Sequence, residues 1–200
     1  MEMIDYLTLL LANMAVGFFL LAWYLWWGIN DADQRRWSPA FLVIGLLGFL
    51  FGLHMTVTWP LRGPYNIVFG EMSVFFGALF LGAGLALALR WSLLIIALYA
   101  VLPGLAAMVV GARIINLGLT SSPWLAGIGF ILSGIAAVSA APALYLVQRY
   151  PTIRWLSVST RWLGILVLAS AGLIWIFIGL GAYWTHLERF GDWVPFSLRE

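Results

Sequence analysis

Apolar positions along this chain fall in six long runs, near residues 4–29, 39–59, 66–89, 91–115, 123–147 and 162–185, separated by short breaks of charged residues, Pro or Gly. A helix needs about 20 largely apolar residues to cross the hydrocarbon core of a bilayer, and each run supplies that. The pattern predicts an all-α integral membrane bundle of six transmembrane helices in a single domain over residues 1–200. The longest gap, Gln148 to Arg161, is expected to be a loop. Glu2 and Asp5 precede the first run without any basic residue, the wrong polarity for a signal peptide, so the first helix is expected to be retained.

Small residues mark where helices approach each other closely. Gly45, Gly48 and Gly52 share one face of the second run, and Gly48 to Gly52 is a GxxxG step, which predicts a central position for that helix. Gly127, Gly134 and Ala141 recur every seven residues on the fifth run, as Gly172 and Gly179 do on the sixth. Pro103-Gly104 falls in the middle of the fourth run and is expected to kink it.

Composition sharpens this picture. The 200 residues are 64% hydrophobic and 9% charged, against about 25% charged in a soluble domain, which excludes a soluble fold. Ten Arg and eight acidic residues give a net charge of only +2, so no cationic field is available for nucleic acid. The chain has no Cys, which excludes disulfides, thiol nucleophiles and thiolate metal sites. There is also no GxSxG motif or catalytic carboxylate pair, so an enzyme is not the expected reading. With the N-terminus outside, Arg35, Arg36, Arg90, Arg149, Arg154 and Arg161 are cytoplasmic, and Arg62, Arg113, Arg189 and Arg199 are outside. This bias favours an N-out/C-out protein of the inner (plasma) membrane.

Ionisable residues inside spans are costly and point to function. His54 lies five residues before Trp59, and Glu71 lies five residues after Asn66, so both sit about 7.5 Å below the outer boundary. The short corner Pro60-Leu61-Arg62-Gly63-Pro64-Tyr65 makes their helices antiparallel neighbours, which predicts that the two side chains meet. Asn66 is read as the N-cap of the third span. Asp5, His54, Arg62, Tyr65, Asn66, Glu71 and Arg113 then form an outer polar layer suited to a small solute or ion, with Arg62 at its lip. His54, Glu71 and His186 have ligand types suited to a single metal ion, though they lack any short metal motif. His54 and His186, the only two histidines, are candidate axial ligands of a haem b if the second and sixth helices face each other. The plainer reading pairs Glu71 with Arg113 or Arg62, and His54 with a hydroxyl or a backbone carbonyl. Beyond the last span, Leu187 to Glu200 mixes charges with Phe190, Trp193 and Phe196 and is expected to lie along the interface or dock on a partner.

The run from Trp59 to Ile67, followed by Phe69-Gly70-Glu71, together with Ile4-Asp5-Tyr6-Leu7-Thr8 and Gly52-Leu53-His54-Met55, resembles an uncharacterised prokaryotic family of small polytopic membrane proteins, a domain of unknown function of the DUF981 type. The resemblance implies a whole-chain membrane domain and brings no activity, substrate or catalytic residue. The sequence therefore points first to a multi-pass protein that binds or passes a small solute or ion at an outer-leaflet site. The rival is a haem- or metal-bearing redox protein, or an accessory subunit of a respiratory or oxidase complex. The expected partners are the lipid bilayer and, beyond it, other membrane subunits or further copies of the chain.

The orientation is testable because no native Cys interferes. In intact cells, Trp155→Cys should be protected from an impermeant thiol reagent applied outside; labelling there would reverse the assignment.

Overall fold

The computed structural model describes residues 5–149 and 154–188. Among these residues the chain forms six long helices and no strand: α1 (Tyr6–Trp26), α2 (Ser38–Thr58), α3 (Met72–Leu89), α4 (Leu93–Leu117), α5 (Pro123–Arg149) and α6 (Arg154–Glu188). All six are long and apolar enough to cross a membrane. A π-turn, Asn66–Glu71, leads into α3, and two short 3-10 turns, Gly28–Asn30 and Gln34–Trp37, join α1 to α2.

Local chemistry sets most of the helix ends. Asp5 caps α1 by accepting from the Thr8 N–H at 3.1 Å, and Ser92 caps α4 by accepting from the Leu94 N–H at 3.2 Å. Pro39 stands in the first turn of α2, where its missing N–H costs nothing. Left-handed residues close α2 at Trp59, α3 at Arg90 and α4 at Gly118. Five helices match the runs read from hydropathy. The sixth begins at Arg154, about two turns earlier than expected, because nothing between Arg154 and Arg161 breaks a helix. At 35 residues it is about 52 Å long, against a hydrocarbon core of about 30 Å, so it projects beyond the apolar layer. α4 runs through Pro103 as one continuous helix. Of the C-terminal tail, only Leu187 and Glu188 are among the described residues.

The helices close into a ring, each packing on its sequence neighbours and α6 returning to pack on α1. α1 is the most enclosed span, a correction to the expectation that α2 is central. The glycine stripe of α2 does make a very close contact, but its partner is α3. A Cβ on Gly52 would lie 2.8 Å from the backbone nitrogen of Val74, and one on Gly77 would overlap the backbone of Phe49. α4 and α5 repeat the device reciprocally, with a Cβ on Gly111 reaching 2.5 Å from the Gly127 carbonyl and one on Gly134 reaching 2.5 Å from that of Gly104. Such backbone approach maximises van der Waals contact where lipid supplies no hydrophobic drive between helices.

The core gathers around α1. Leu10, Leu11, Met14, Ala15 and Phe18 pack with Met55, Met72, Ile114, Phe130 and Trp175 from the surrounding helices. Phe69, Phe130 and Trp175 form an aromatic series with centroids 5.7 and 5.0 Å apart, and the Trp175 indole donates to Ser133 Oγ at 3.1 Å. Asn13, buried in α1, donates to the Ile44 carbonyl of α2 at 2.9 Å.

Two glycines separate packing from intrinsic helix propensity. Gly77→Ala should destabilise by about 1–3 kcal/mol, since one methyl overpacks the α2–α3 contact. Gly181→Ala, with nothing within 4 Å of the added Cβ, should be neutral or stabilising by up to about 1 kcal/mol. Thermal unfolding in detergent distinguishes them, and equal melting of the two variants would contradict the α2–α3 register.

Candidate functional site

Polar side chains gather at both ends of the bundle. At one end lie the start of α1, the end of α2, the π-turn, the end of α4 and the end of α6. Here Asp5 Oδ2 lies 2.6 Å from His186 Nδ1, and Thr8 Oγ1, fully buried, lies 3.1 Å from the same nitrogen. Asp5 thus caps α1 and ties it to the last turn of α6. The acid sits at a helix N-terminus, where the macrodipole favours its charge.

The corner between α2 and α3 is held by Asn66, which is fully buried. Its Oδ1 accepts from the Leu61 N–H at 3.1 Å, and its Nδ2 donates to the Leu61 carbonyl. Asn66 is therefore a lock on the loop backbone and not the helix N-cap expected from its position. Tyr65 donates its hydroxyl to the Leu119 carbonyl, fastening this corner to the α4–α5 connection. Arg62 is exposed on the corner. Arg113, also exposed, donates to Asn116 Oδ1 at 2.8 Å.

His54 and Glu71 share a depth but not a contact. Gly52 abuts Ser73 and Val74 while Gly70 abuts Met55 and Thr56, a register that sets His54 level with Glu71. His54 nevertheless lies on the exposed side of α2, about 200° around the helix from Gly52, with its Nδ1 3.3 Å from Thr58 Oγ1. Glu71 is half-buried at the end of the π-turn. Among the described residues, no hydrogen bond or ion pair reaches its carboxylate, from His54, Arg62, Arg113 or any other side chain.

These positions correct the metal-ion expectation. Among the described residues, no three His, Cys, Asp or Glu side chains are grouped to hold a metal ion, so His54, Glu71 and His186 do not form the anticipated triad. α2 and α6 each pack on α1, and His186 Nδ1 is already engaged by Asp5 and Thr8. Of the predicted layer, Asp5 and His186 are brought together directly, while His54 is turned outward from Glu71.

The opposite end carries ties that sequence reading missed. Arg161 of α6 donates to the Leu25 and Trp26 carbonyls, capping the C-terminus of α1 with a cation. With its amide oxygen turned toward the guanidinium, Asn30 accepts from Arg161 at 3.0 Å. Tyr24 donates to Gln34 Oε1 at 2.7 Å, and Gln34 Nε2 donates to the Gly28 and Asp31 carbonyls, each at 2.8 Å. Trp37 Nε1 donates to Asp31 Oδ2 at 2.6 Å. Arg35 grips both oxygens of Asp33, and this hydrogen bonding holds the exposed carboxyl down at about 2. Asn13 and Arg161 were detectable only as an amide in mid-span and a cation near a span end, since both bond to backbone carbonyls that leave no sequence signature.

Residues 1–189 match the family described as protein of unknown function (DUF981), and the chain belongs to that family. No curated protein and no solved structure matches it.

The corner lock gives a direct prediction. Asn66→Leu fills similar space but leaves the Leu61 N–H and carbonyl without their partner, and should cost about 1–3 kcal/mol in thermal unfolding. An unchanged melting temperature would show that the corner is held by other contacts.

Proposed function

We propose that this DUF981 protein is a multi-pass plasma-membrane protein that binds a small cation or cationic solute at its Asp5 end, with Glu71 supplying the charge. The observation that carries the reading is Glu71 itself, a half-buried carboxylate in a membrane-spanning segment with no hydrogen bond or ion pair among the described residues. An uncompensated carboxylate at that depth is costly, so it is retained where a ligand or proton completes it. It ends a π-turn, an interruption of the helical ladder that recurs at functional sites. Two residues on, the buried Ser73 hydroxyl also lacks a partner. Asp5 adds a second acidic group at the same end. Below this layer Met14, Phe18, Met72 and Phe130 fill the interior, which supports binding at one face over passage through the bundle.

Dicyclohexylcarbodiimide, an apolar reagent that attacks protonated membrane carboxyls, provides the test. In membranes washed free of metal cations, the adduct should map to Glu71 by mass spectrometry, disappear in Glu71→Gln, and fall by more than half when the bound cation is restored from a panel of sodium, potassium and organic ammonium ions. Absence of the adduct in cation-free membranes overturns the reading. Labelling that no cation in the panel suppresses overturns it equally.

A further inference from the structure

At the Arg161 end, away from Glu71, a cleft of about 410 Å³ opens between the end of α1, the α1–α2 connection and the α3–α4 corner. It falls within the roughly 300–1,000 Å³ typical of small-molecule sites. Tyr24, Gln34, Arg90, Trp91 and Ser92 give it a polar side, Leu and Ala side chains give it an apolar one, and no carboxylate lines it. Tyr24 and Gln34 spend their hydrogen bonds on each other and on the Gly28 and Asp31 carbonyls, forming a fixed wall. Ser92 Oγ accepts from the Leu94 N–H, which leaves its own proton to donate. The Arg90 guanidinium makes no hydrogen bond or ion pair among the described residues, and Asp33, which feels its charge, has both oxygens occupied by Arg35.

The backbone at Arg90 gives an independent argument. Arg90 ends α3 with φ 59°, its N–H bonded to the Ala86 and Leu87 carbonyls. Gly118 ends α4 with φ 61° and the same bonding to Ile114 and Ile115. The two caps are equivalent, yet one uses the residue that the left-handed conformation favours and the other carries a long cation against that preference. The difference lies in the side chain, which at position 90 lines the cleft.

We propose that this cleft binds the phosphodiester headgroup of an anionic phospholipid. Arg90 pairs with the phosphate, Trp91 and Ser92 donate hydrogen bonds from the mouth, and the leucine and alanine wall receives the beginning of the acyl chains. Basic pockets between membrane helices are recurrent sites for such headgroups, and the exposed Trp91 indole suits the headgroup depth.

Native mass spectrometry of the full chain from nanodiscs of equal phosphatidylglycerol and phosphatidylcholine tests this. The protein should retain phosphatidylglycerol preferentially, and Arg90→Asn, whose side chain tolerates the left-handed backbone, should lower that preference about fivefold while melting like the parent. Arg36→Asn, an exposed cation outside the cleft at the same end, should leave the preference intact. Equal retention of the two lipids overturns the proposal, as does full preference in Arg90→Asn. Displacement of the lipid by millimolar inorganic phosphate would assign the cleft to the free anion and overturn the lipid reading.

Discussion

The architecture depends on how α6 holds α1. At one end Arg161 places a guanidinium on the last carbonyls of α1, and at the other Asp5 and Thr8 of α1 meet His186 of α6. Between these ties Gly172 lies against Phe19 and Gly179 against Leu11 and Ala12, so the helices approach closely along the span. Both ties satisfy groups that helix termini leave open, and Arg161 and Asp5 put charge where the dipoles favour it. Closing the first helix against the last turns six consecutive spans into a ring and makes α1 the most enclosed span.

From that closure the two ends acquire different chemistry. The Asp5 end gathers acids, both histidines and a corner fixed by Asn66, with the carboxylate of Glu71, unpaired among the described residues, beside it. The Arg161 end gathers arginines and indoles, and most of its polar groups are consumed in fixing the α1–α2 connection. Arg90 is a cation there whose role local bonding among the described residues does not account for. Glycine pairs on α2–α3 and α4–α5 supply closely packed hairpins that carry both sets of side chains.

Much of this was legible in the sequence, for reasons specific to membranes. Hydropathy located all six spans, because a bilayer demands long uninterrupted apolar runs. The depth of His54 and Glu71 followed from counting along two helices joined by a short Pro/Gly corner. The rotation of Glu71 did not, because the π-turn at Asn66–Glu71 breaks the α-helical phase on which such counting relies. The stripe Gly45, Gly48 and Gly52 announced a close contact but not its partner, since small residues define a surface and not what covers it. Thr8 and Arg161 were passed over because a hydroxyl and a cation near span ends are common, and only the return of α6 to α1 gives them partners.

The closure of α1 on α6 is tested most directly by disulfide trapping in the membrane, which is clean in a chain without native Cys. A Cβ on Gly179 would stand 3.5 Å from Leu11 Cβ, within the roughly 3.5–4.5 Å that a disulfide spans. The double variant Leu11→Cys/Gly179→Cys should oxidise rapidly to an intramolecular disulfide, while Leu11→Cys/Leu85→Cys, with Leu85 on the exposed side of α3, should not. Failure of the first pair to join, or its joining only between separate chains, would contradict the ring.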